Sequence, residues 1–380
     1  MTSNPFTLRW GILAFTKDLL IDPTTRDAGD IRHVVAAAAS STSASRAQSF
    51  LNEAGAPSSA KAYGSYRELV EAEDVDIIYV ATPHSHHYQH TRLVLDAGKH
   101  VLVEKPITVN AEQCKILREL AKEKRLFLME AVWTRFFPLS REVTEFVRSG
   151  QLGDVKRVFA DFSFWNDVEK EFGNQHRMVN LELAGGALLD LGIYSLTWLF
   201  MTLYHAQPKD KRGDPQVSSA VTKYEPTGAD ETTTVLLKFP GTGAQGIATT
   251  SIQVATTPNP SLPAPDAIRI QGTHGDLTVN YAPRPRSYTL TPASSSAHGT
   301  LASFTHQTKT FDTPGGGHGM FWEADECARC VRDGKLESEV MPVEETEVLM
   351  RVMDEVRTQG GVVYPGEIGS VEWPLEGFGI

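Results

Sequence analysis

The first third of the chain alternates short apolar runs with longer amphipathic stretches. The apolar runs predict five strands, at residues 7–14, 33–39, 76–81, 100–103 and 127–129. The stretches between them predict helices at residues 43–54, 65–73, 85–97 and 111–124. Continuously apolar strands separated by helices are typical of a parallel sheet that is covered on both faces. Residues 1–130 are therefore predicted to form a doubly wound α/β domain, with its ligand site at the carboxyl ends of the strands.

After residue 130 the pattern changes to polar and apolar alternation. Alternating segments predict strands of an open, largely antiparallel sheet, at residues 155–164, 217–224, 232–239, 245–254 and 267–271. Helices are predicted at residues 138–149, 183–204, about 320–333 and 343–359, and loops at 256–265 and 282–299. Residues 131–380 are therefore predicted to form a second, α+β domain.

Composition and charge narrow the classes of function. The 380 residues are 41% hydrophobic and 22% charged, as in ordinary globular proteins. The net charge of −11 and the lack of a dense Lys/Arg run argue against nucleic-acid binding. The longest apolar stretch, residues 184–203, is interrupted by Asp190, so no membrane span is expected, and the N-terminus predicts no signal peptide. Three cysteines favour a reducing compartment, and we expect a cytoplasmic protein.

Two short motifs suggest proton chemistry. Lys105, in the sequence Glu104-Lys105-Pro106, directly follows a predicted strand, and the proline biases it away from helical geometry. A desolvated lysine at a strand end can polarise a hydroxyl or carbonyl oxygen. Asp190 and Tyr194 are four residues apart, so a helix presents them on one face, as proton-transfer groups require. The alternatives are a chance tripeptide, and an aspartate cap beside a core tyrosine.

Two other clusters could bind metal, but the structural interpretation is favoured for both. His84, His86, His87 and His90 have no carboxylate or cysteine nearby to complete a metal shell. Cys327 and Cys330 form a lone C-x-x-C, which is favoured to be two cysteines on one helix face. We predict no metal site.

The motifs occur within a longer series of segments that resembles one protein family. The series includes RWGILA at 9–14, YVATPH at 79–84, AGKHVLVEKP at 97–106, MEAVWTRFFP at 129–138, GGALLDLGIY at 185–194 and GHGMFWEA at 317–324. In these segments the chain resembles the Gfo/Idh/MocA oxidoreductases, closest to the dimeric dihydrodiol dehydrogenases and fungal NADP-dependent D-xylose 1-dehydrogenases. The resemblance implies a Rossmann-like N-terminal domain and a homodimer paired through the C-terminal sheet.

The resemblance also implies roles for individual residues. Lys105, Asp190 and Tyr194 match the catalytic positions of the family, and Trp133 and Arg177 match positions in the substrate pocket. The cofactor positions that it implies are Ala14, Ser40, Ser41, Arg46, Thr82, Pro83, His87, Glu104 and Lys105. The small polar residues at the end of the second strand, with Arg46 just beyond, favour NADP over NAD, because an NAD enzyme usually places Asp or Glu there.

One segment departs from the family. The first strand should be followed by a G-x-G-x-x-G turn that binds pyrophosphate, yet Phe15 follows Ala14 at once and the next glycine is Gly29. Three interpretations follow: an artefact of the gene model, an enzyme whose altered turn still admits NADP, or a homologue that has lost the dinucleotide.

The leading hypothesis is therefore an NADP-dependent dehydrogenase that acts by hydride transfer on a sugar resembling D-xylose, or on a trans-dihydrodiol. The alternative is a cofactor-independent lyase, isomerase or cyclase, for example in secondary metabolism, that reuses Lys105, Asp190 and Tyr194.

Overall fold

The computed structural model describes residues 5–13, 18, 21, 23–294 and 302–380. The chain forms two compact units. Unit 1 comprises Met1–Trp133, Thr313–Glu347 and Gly366–Ile380, and unit 2 comprises Thr134–Asp312 and Val348–Pro365. The boundary predicted at residue 130 is close to Trp133, after which the chain first passes from unit 1 to unit 2. The prediction differs in one respect, since it assigned all later residues to the second domain, whereas two later segments return to unit 1.

Unit 1 contains a six-stranded, fully parallel sheet. Its strands are β1 Phe6–Ile12, β2 Ile31–Ala39, β3 Lys61–Tyr63, β4 Ile77–Val80, β5 His100–Glu104 and β6 Leu128–Ala131. Their order is β3-β2-β1-β4-β5-β6. Successive strands are added on one side of β1 as far as β3 and then on its other side from β4, so the strand order switches between β1 and β4. The doubly wound fold predicted from the sequence is confirmed. The short edge strand β3 was not predicted.

Nine α-helices are found in the described part of the chain. They are α1 Ala44–Ala54, α2 Tyr66–Val70, α3 His87–Asp96, α4 Ala111–Lys124, α5 Pro138–Arg148, α6 Ile193–Phe200, α7 Phe321–Arg332, α8 Val343–Gly360 and α9 Gly366–Gly369. The first helices begin at side-chain caps, as at Ser43, whose hydroxyl accepts a hydrogen bond from the Arg46 backbone N–H at 3.3 Å.

Helix α7 belongs to unit 1 because a buried polar network joins it to the sheet. The His33 ring lies between Trp10 of β1 and Asp325 of α7, with Trp10 Nε1 3.0 Å from Nδ1 and Asp325 Oδ1 2.9 Å from Nε2. Arg26 pairs with the same carboxylate at 2.7 Å, and the side chains of the Arg26–Asp325 pair are almost fully buried. A buried carboxylate needs such partners, so the network anchors α7 against β1 and β2.

Unit 2 contains an eight-stranded mixed sheet. Its strands are β7 Val155–Asp161, β8 Gln216–Lys223, β9 Asp230–Lys238, β10 Gln245–Ser251, β11 Ile268–Gly272, β12 Gly275–Val279, β13 Ser287–Pro292 and β14 Gln307–Thr310. The order is β14-β13-β12-β11-β7-β10-β9-β8, with β7 and β10 parallel and the other neighbours antiparallel. The open, largely antiparallel sheet is confirmed. The loop predicted at 282–299 is wrong in part, because it contains β13.

One face of this sheet is covered by a long core helix. The helix Leu181–His205 is long and apolar enough to span a membrane by composition, but 94% of its most apolar window is buried inside the protein. Gly246 of β10 faces Leu199 of α6, and an added Cβ at Gly246 would lie 2.7 Å from that side chain. Because β-strand side chains alternate, Ile247 points to the opposite face of the sheet, beside Leu236 and Phe159 on the neighbouring strands.

Candidate active site

In unit 1, a pocket of about 400 Å³ opens at the carboxyl ends of β1 and β2. Its lining includes Leu13 after β1, Ser40 and Ser41 after β2, and Arg46 in the first turn of α1. The structure therefore brings together three of the predicted cofactor residues, Ser40, Ser41 and Arg46. A fourth, Ala14, lies outside the described residues, as does most of the segment where the glycine-rich turn is expected.

The pocket has the chemistry of an anion site. Arg46 is exposed, and the first turn of α1 carries no acidic residue. The positive end of the helix dipole and the guanidinium both favour a phosphate there. Ser40 and Thr42 form a polar turn, in which the Thr42 N–H donates to the Ser40 hydroxyl at 3.2 Å. These residues fit the ribose and 2′-phosphate of NADP.

Farther along in unit 1, Asp18 binds the segment that leads into α7. Its carboxylate accepts hydrogen bonds from the backbone N–H groups of His318, Gly319 and Met320, at 2.8–3.2 Å. Three backbone donors directly before the first helical residue, Phe321, are thereby satisfied. The residues on either side of the undescribed turn, Leu13 and Asp18, are thus held in unit 1.

Lys105 follows β5 directly, at the carboxyl edge of the unit 1 sheet, as predicted. The Glu104 carboxylate accepts hydrogen bonds from the Tyr79 hydroxyl and from the Lys105 N–H, the latter at 3.2 Å. Buried Glu130 of β6 accepts the Ile107 N–H at 3.0 Å. Two carboxylates therefore hold the backbone on either side of Lys105 and Pro106. Glu104 is half-buried and was among the predicted positions, whereas no pattern in the sequence singled out Glu130.

His87 does not occupy the position that the family resemblance implies. Its side chain is completely buried, so it has no surface for direct contact with a cofactor. Its two ring nitrogens lie 2.8 Å from the carbonyl oxygens of Pro106 and Thr82. Thr82 and Pro83 themselves are accessible at the end of β4. The predicted cofactor contact of His87 is therefore corrected: its side chain lies beneath the loop of Thr82 and Pro83 and contacts the protein backbone.

The histidine cluster also contains no metal shell. Among the described residues, no group of three or more His, Cys, Asp and Glu side chains is arranged to hold a metal ion. Cys327 and Cys330 are free and buried in α7. Burial raises the pKa of the Cys330 thiol to about 12, which disfavours the reactive thiolate.

In unit 2, Asp190 and Tyr194 lie on the core helix, in its π-helical segment Leu188–Gly192 and in α6 respectively. Arg177, a predicted substrate residue, donates a hydrogen bond to Asp190 Oδ1 at 3.0 Å. The Tyr194 ring packs edge-on against Phe162 with centroids 5.3 Å apart. Three predicted residues of unit 2 are therefore neighbours. Trp133, the other predicted substrate residue, lies in the turn that follows β6 in unit 1.

A buried carboxylate positions the π-helical segment of this core helix. Asp230, the first residue of β9, accepts the Leu188 N–H at 2.5 Å. Gly186 makes room for it, because an added Cβ would lie 2.0 Å from Asp230 Oδ1. The Tyr364 hydroxyl donates to the Gly185 carbonyl at 3.3 Å. Sequence reasoning missed both Asp230 and Tyr364. The Gly185-Gly186 doublet was the available signal that another group approaches the backbone there.

Comparison with known proteins identifies the family. One family model, described as an oxidoreductase family with an NAD-binding Rossmann fold, matches residues 23–132. A second, the GFO/IDH/MocA C-terminal domain, matches residues 140–278. The chain belongs to the Gfo/Idh/MocA oxidoreductase family. The first match begins after the segment in which the glycine-rich turn is expected.

Curated relatives of this family match almost the full chain. D-xylose 1-dehydrogenase (NADP⁺) of Hypocrea jecorina is 48% identical over 385 aligned residues, covering 96% of this chain and 95% of that protein. Trans-1,2-dihydrobenzene-1,2-diol dehydrogenase of Bos taurus is 34% identical and covers 94% of this chain and 98% of its own. Both belong to the branch that the sequence segments indicated.

Solved structures agree on the fold. Aldose-aldose oxidoreductase of Caulobacter crescentus, complexed with glycerol, has a TM-score of 0.74 at 20% identity and covers 93% of this chain and 98% of its own. A 3-ketoreductase of Actinomadura kijaniata, in complex with NADP and TDP-benzene, has a TM-score of 0.69 at 23% identity and covers 94% and 98%. These similarities show that the Gfo/Idh/MocA fold extends over nearly the whole chain.

Proposed function

We propose that the protein is an NADP-dependent dehydrogenase that oxidises a hydroxyl group of a small sugar resembling D-xylose, or of a trans-dihydrodiol. The observation that carries the proposal is the pocket lined by Ser40, Ser41 and Arg46, which offers polar groups and a cation where NADP has its 2′-phosphate. The full-length similarity to D-xylose 1-dehydrogenase (NADP⁺) supports the same cofactor and substrate class.

NADP⁺, when bound, supplies the hydride acceptor for the reaction. Ser40, Ser41 and Arg46 would hold its adenosine end, and Thr82 and Pro83 would hold the nicotinamide end. Tyr194 accepts the proton of the substrate hydroxyl. The family resemblance implies that Lys105 is also a catalytic residue, and its ammonium is suited to stabilise a developing alkoxide. Asp190 and Arg177, joined by their hydrogen bond, orient the substrate.

Two measurements on the purified protein test this function. Calorimetric titration with NADP⁺ and NAD⁺ should show binding with a preference for NADP⁺. Absorbance of NADPH at its nicotinamide band should rise on addition of D-xylose, other aldoses or a trans-dihydrodiol. Absence of both binding and turnover would favour the cofactor-independent lyase, isomerase or cyclase, for which the departure at Phe15 is the motivating feature. The K105M variant should abolish turnover, and its Kd for NADP⁺ measures how much the lysine also contributes to cofactor binding.

We also propose that the protein acts as a cytoplasmic homodimer. The face of the unit 2 sheet opposite the core helix carries apolar side chains, including Leu236, which is 40% exposed. Such a face is typically covered by a partner. All three cysteines are free, as in a reducing compartment. Light scattering after gel filtration tests the dimer, and the distribution of a fluorescent fusion in the producing cell tests the location.

A further inference from the structure

His87 touches both segments to which the proposed function assigns cofactor and catalytic roles. It is the first residue of α3, and its side chain is fully buried. Its Nδ1 lies 2.8 Å from the Pro106 carbonyl oxygen, next to Lys105, and its Nε2 lies 2.8 Å from the Thr82 carbonyl oxygen. One ring therefore bridges the turn after β5 and the loop after β4.

The chemistry of the ring limits what this bridge can do. Burial lowers the pKa of His87 to about 4, against the effect of the two carbonyl oxygens, which favour the protonated ring. At neutral pH the ring carries one N–H, and a carbonyl oxygen only accepts. His87 thus donates to either the Pro106 or the Thr82 carbonyl at a given moment. Each tautomer holds one of the two segments.

His90, one helical turn later, holds the same loop from its other side. Its Nε2 lies 2.7 Å from the Phe378 carbonyl oxygen, and its Nδ1 lies 2.9 Å from the Thr82 hydroxyl. Because the carbonyl accepts, Nε2 carries the proton and Nδ1 accepts a hydrogen bond from Thr82. Both bonds of a neutral ring are therefore satisfied, and the Thr82 hydroxyl is oriented.

The segment that contains Phe378 is itself well anchored on unit 1. The Tyr88 hydroxyl donates to the Val371 carbonyl at 2.9 Å, and the Gln89 amide donates to the Glu372 carbonyl at 2.8 Å. Phe378 packs against His86 with ring centroids 4.9 Å apart. His90 therefore connects the Thr82 loop to a fixed support.

We propose that His87 and His90 are positioning residues that hold the Thr82 loop and the Lys105–Pro106 turn in register with each other. The proposal rests on the proposed function, which places the nicotinamide end of the cofactor at Thr82 and catalysis at Lys105. It replaces the direct cofactor contact implied for His87, and it explains the density of histidines in this segment without a metal ion.

Three variants of His87 separate its two contacts. Asparagine can place its amide N–H near the Nδ1 position and so retain the donor to Pro106, whereas glutamine can retain the donor to Thr82 near the Nε2 position. Phenylalanine fills the space and removes the ring N–H, so neither carbonyl has a donor. H306F, at an exposed histidine of unit 2, is the control. The measurements are the NADP⁺ Kd by calorimetry, KM and kcat, the midpoint of thermal unfolding, and amide hydrogen exchange near residues 82–84 and 105–107.

H87F is expected to weaken NADP⁺ binding and to lower kcat, each by about fivefold or more, the cost of one lost hydrogen bond. Glutamine should restore NADP⁺ affinity more than kcat, and asparagine should restore kcat more than affinity. Exchange at both segments should be faster in H87F without cofactor. The idea fails if H87F stays within about twofold of the wild type, or if the asparagine and glutamine variants show the same losses as each other.

A second set of variants keeps the test decisive if H87F does not fold. T82V removes the hydroxyl, and H90Q removes its acceptor while keeping a donor for Phe378. Each should raise the Kd for NADP⁺. The Kd of the double variant should not exceed the higher of the two single-variant values, because both substitutions break the same hydrogen bond, between Thr82 and His90. Additive effects would contradict the proposal. A wild type that binds no NADP⁺ would refute the proposed function instead. The exchange rates would still test whether His87 and His90 hold the two segments.

Discussion

Asp230 illustrates how one buried carboxyl group can position the helix that carries Asp190 and Tyr194. Its Oδ2 accepts the Leu188 N–H, while its Oδ1 has no hydrogen-bond partner among the described residues. Burial raises the pKa of Asp230 to about 6, against a usual value of 3.8. A neutral acid at this site loses less hydration than a carboxylate. The residue therefore stays protonated to a higher pH than a surface aspartate.

The D230N variant should therefore change the pH dependence of stability. Because the folded-state pKa is raised, Asp230 contributes stability at low pH that is lost as the pH rises through about 6. The asparagine side chain of the variant does not titrate, so the free energy of unfolding of D230N relative to wild type should increase by on the order of 2 kcal/mol from about pH 4.5 to about pH 7.5. Urea unfolding at a series of pH values measures this difference. D266N, at an exposed aspartate of the same unit, should show no such trend, and a flat difference for D230N would refute the assignment.

The Y194F variant keeps the aromatic ring of Tyr194 and removes its hydroxyl. Phenylalanine preserves the edge-on contact with Phe162, so the core of unit 2 should stay intact. Y194F should lower kcat by about 100-fold or more, the usual contribution of a positioned proton acceptor, and leave the NADP⁺ Kd unchanged. Steady-state kinetics and calorimetry give the two numbers. Y204F, on the same helix, should retain activity, and equal losses in both variants would argue against proton transfer by Tyr194.

At the scale of elements, the strand ends were the most predictable part of the site. The carboxyl ends of parallel strands meet at one edge of a sheet, so Ser40 after β2 and Lys105 after β5 could be placed from the apolar runs alone. The contact of His87 with the cofactor could not be judged from the sequence in the same way. Its position in α3 is read from the sequence, but the direction of its ring depends on packing against Pro106, 19 residues away.

The junction of β2 and α1 should decide the choice between NADP and NAD. R46A removes the cation at the anion site and should weaken NADP⁺ binding by about 10- to 100-fold, with little effect on NAD⁺. S41D adds the carboxylate that holds ribose hydroxyls in NAD enzymes and repels a 2′-phosphate. The ratio of kcat/KM for the two cofactors measures the preference. It should fall in R46A and fall further in S41D, and an unchanged ratio in both would move the 2′-phosphate elsewhere.

At the scale of the whole molecule, the sequence predicted two domains but not their full composition. The return of residues 313–347 to unit 1 depends on Asp325, which pairs with His33 and Arg26, residues about 300 positions earlier in the chain. No local pattern reports such a contact. The strands β12 to β14 were missed for a related reason, since they are short, rich in Thr and Gly, and stabilised by pairing with a sheet that exists only after folding.

The face of the unit 2 sheet opposite the core helix offers a surface on which two copies of the chain could pair. Phe159, Ile247 and Leu236 are paired across three neighbouring strands, so they form one apolar row on the face opposite the core helix. If two copies pair through this row, I247D places buried charges at the interface and should convert the dimer to a monomer of 41.7 kDa. Light scattering after gel filtration measures the mass. L336D, at an exposed apolar residue of unit 1, is the matched control and should leave the dimer intact. A wild type that is already monomeric, or an I247D variant that stays dimeric, would place the partner surface elsewhere or remove the need for one.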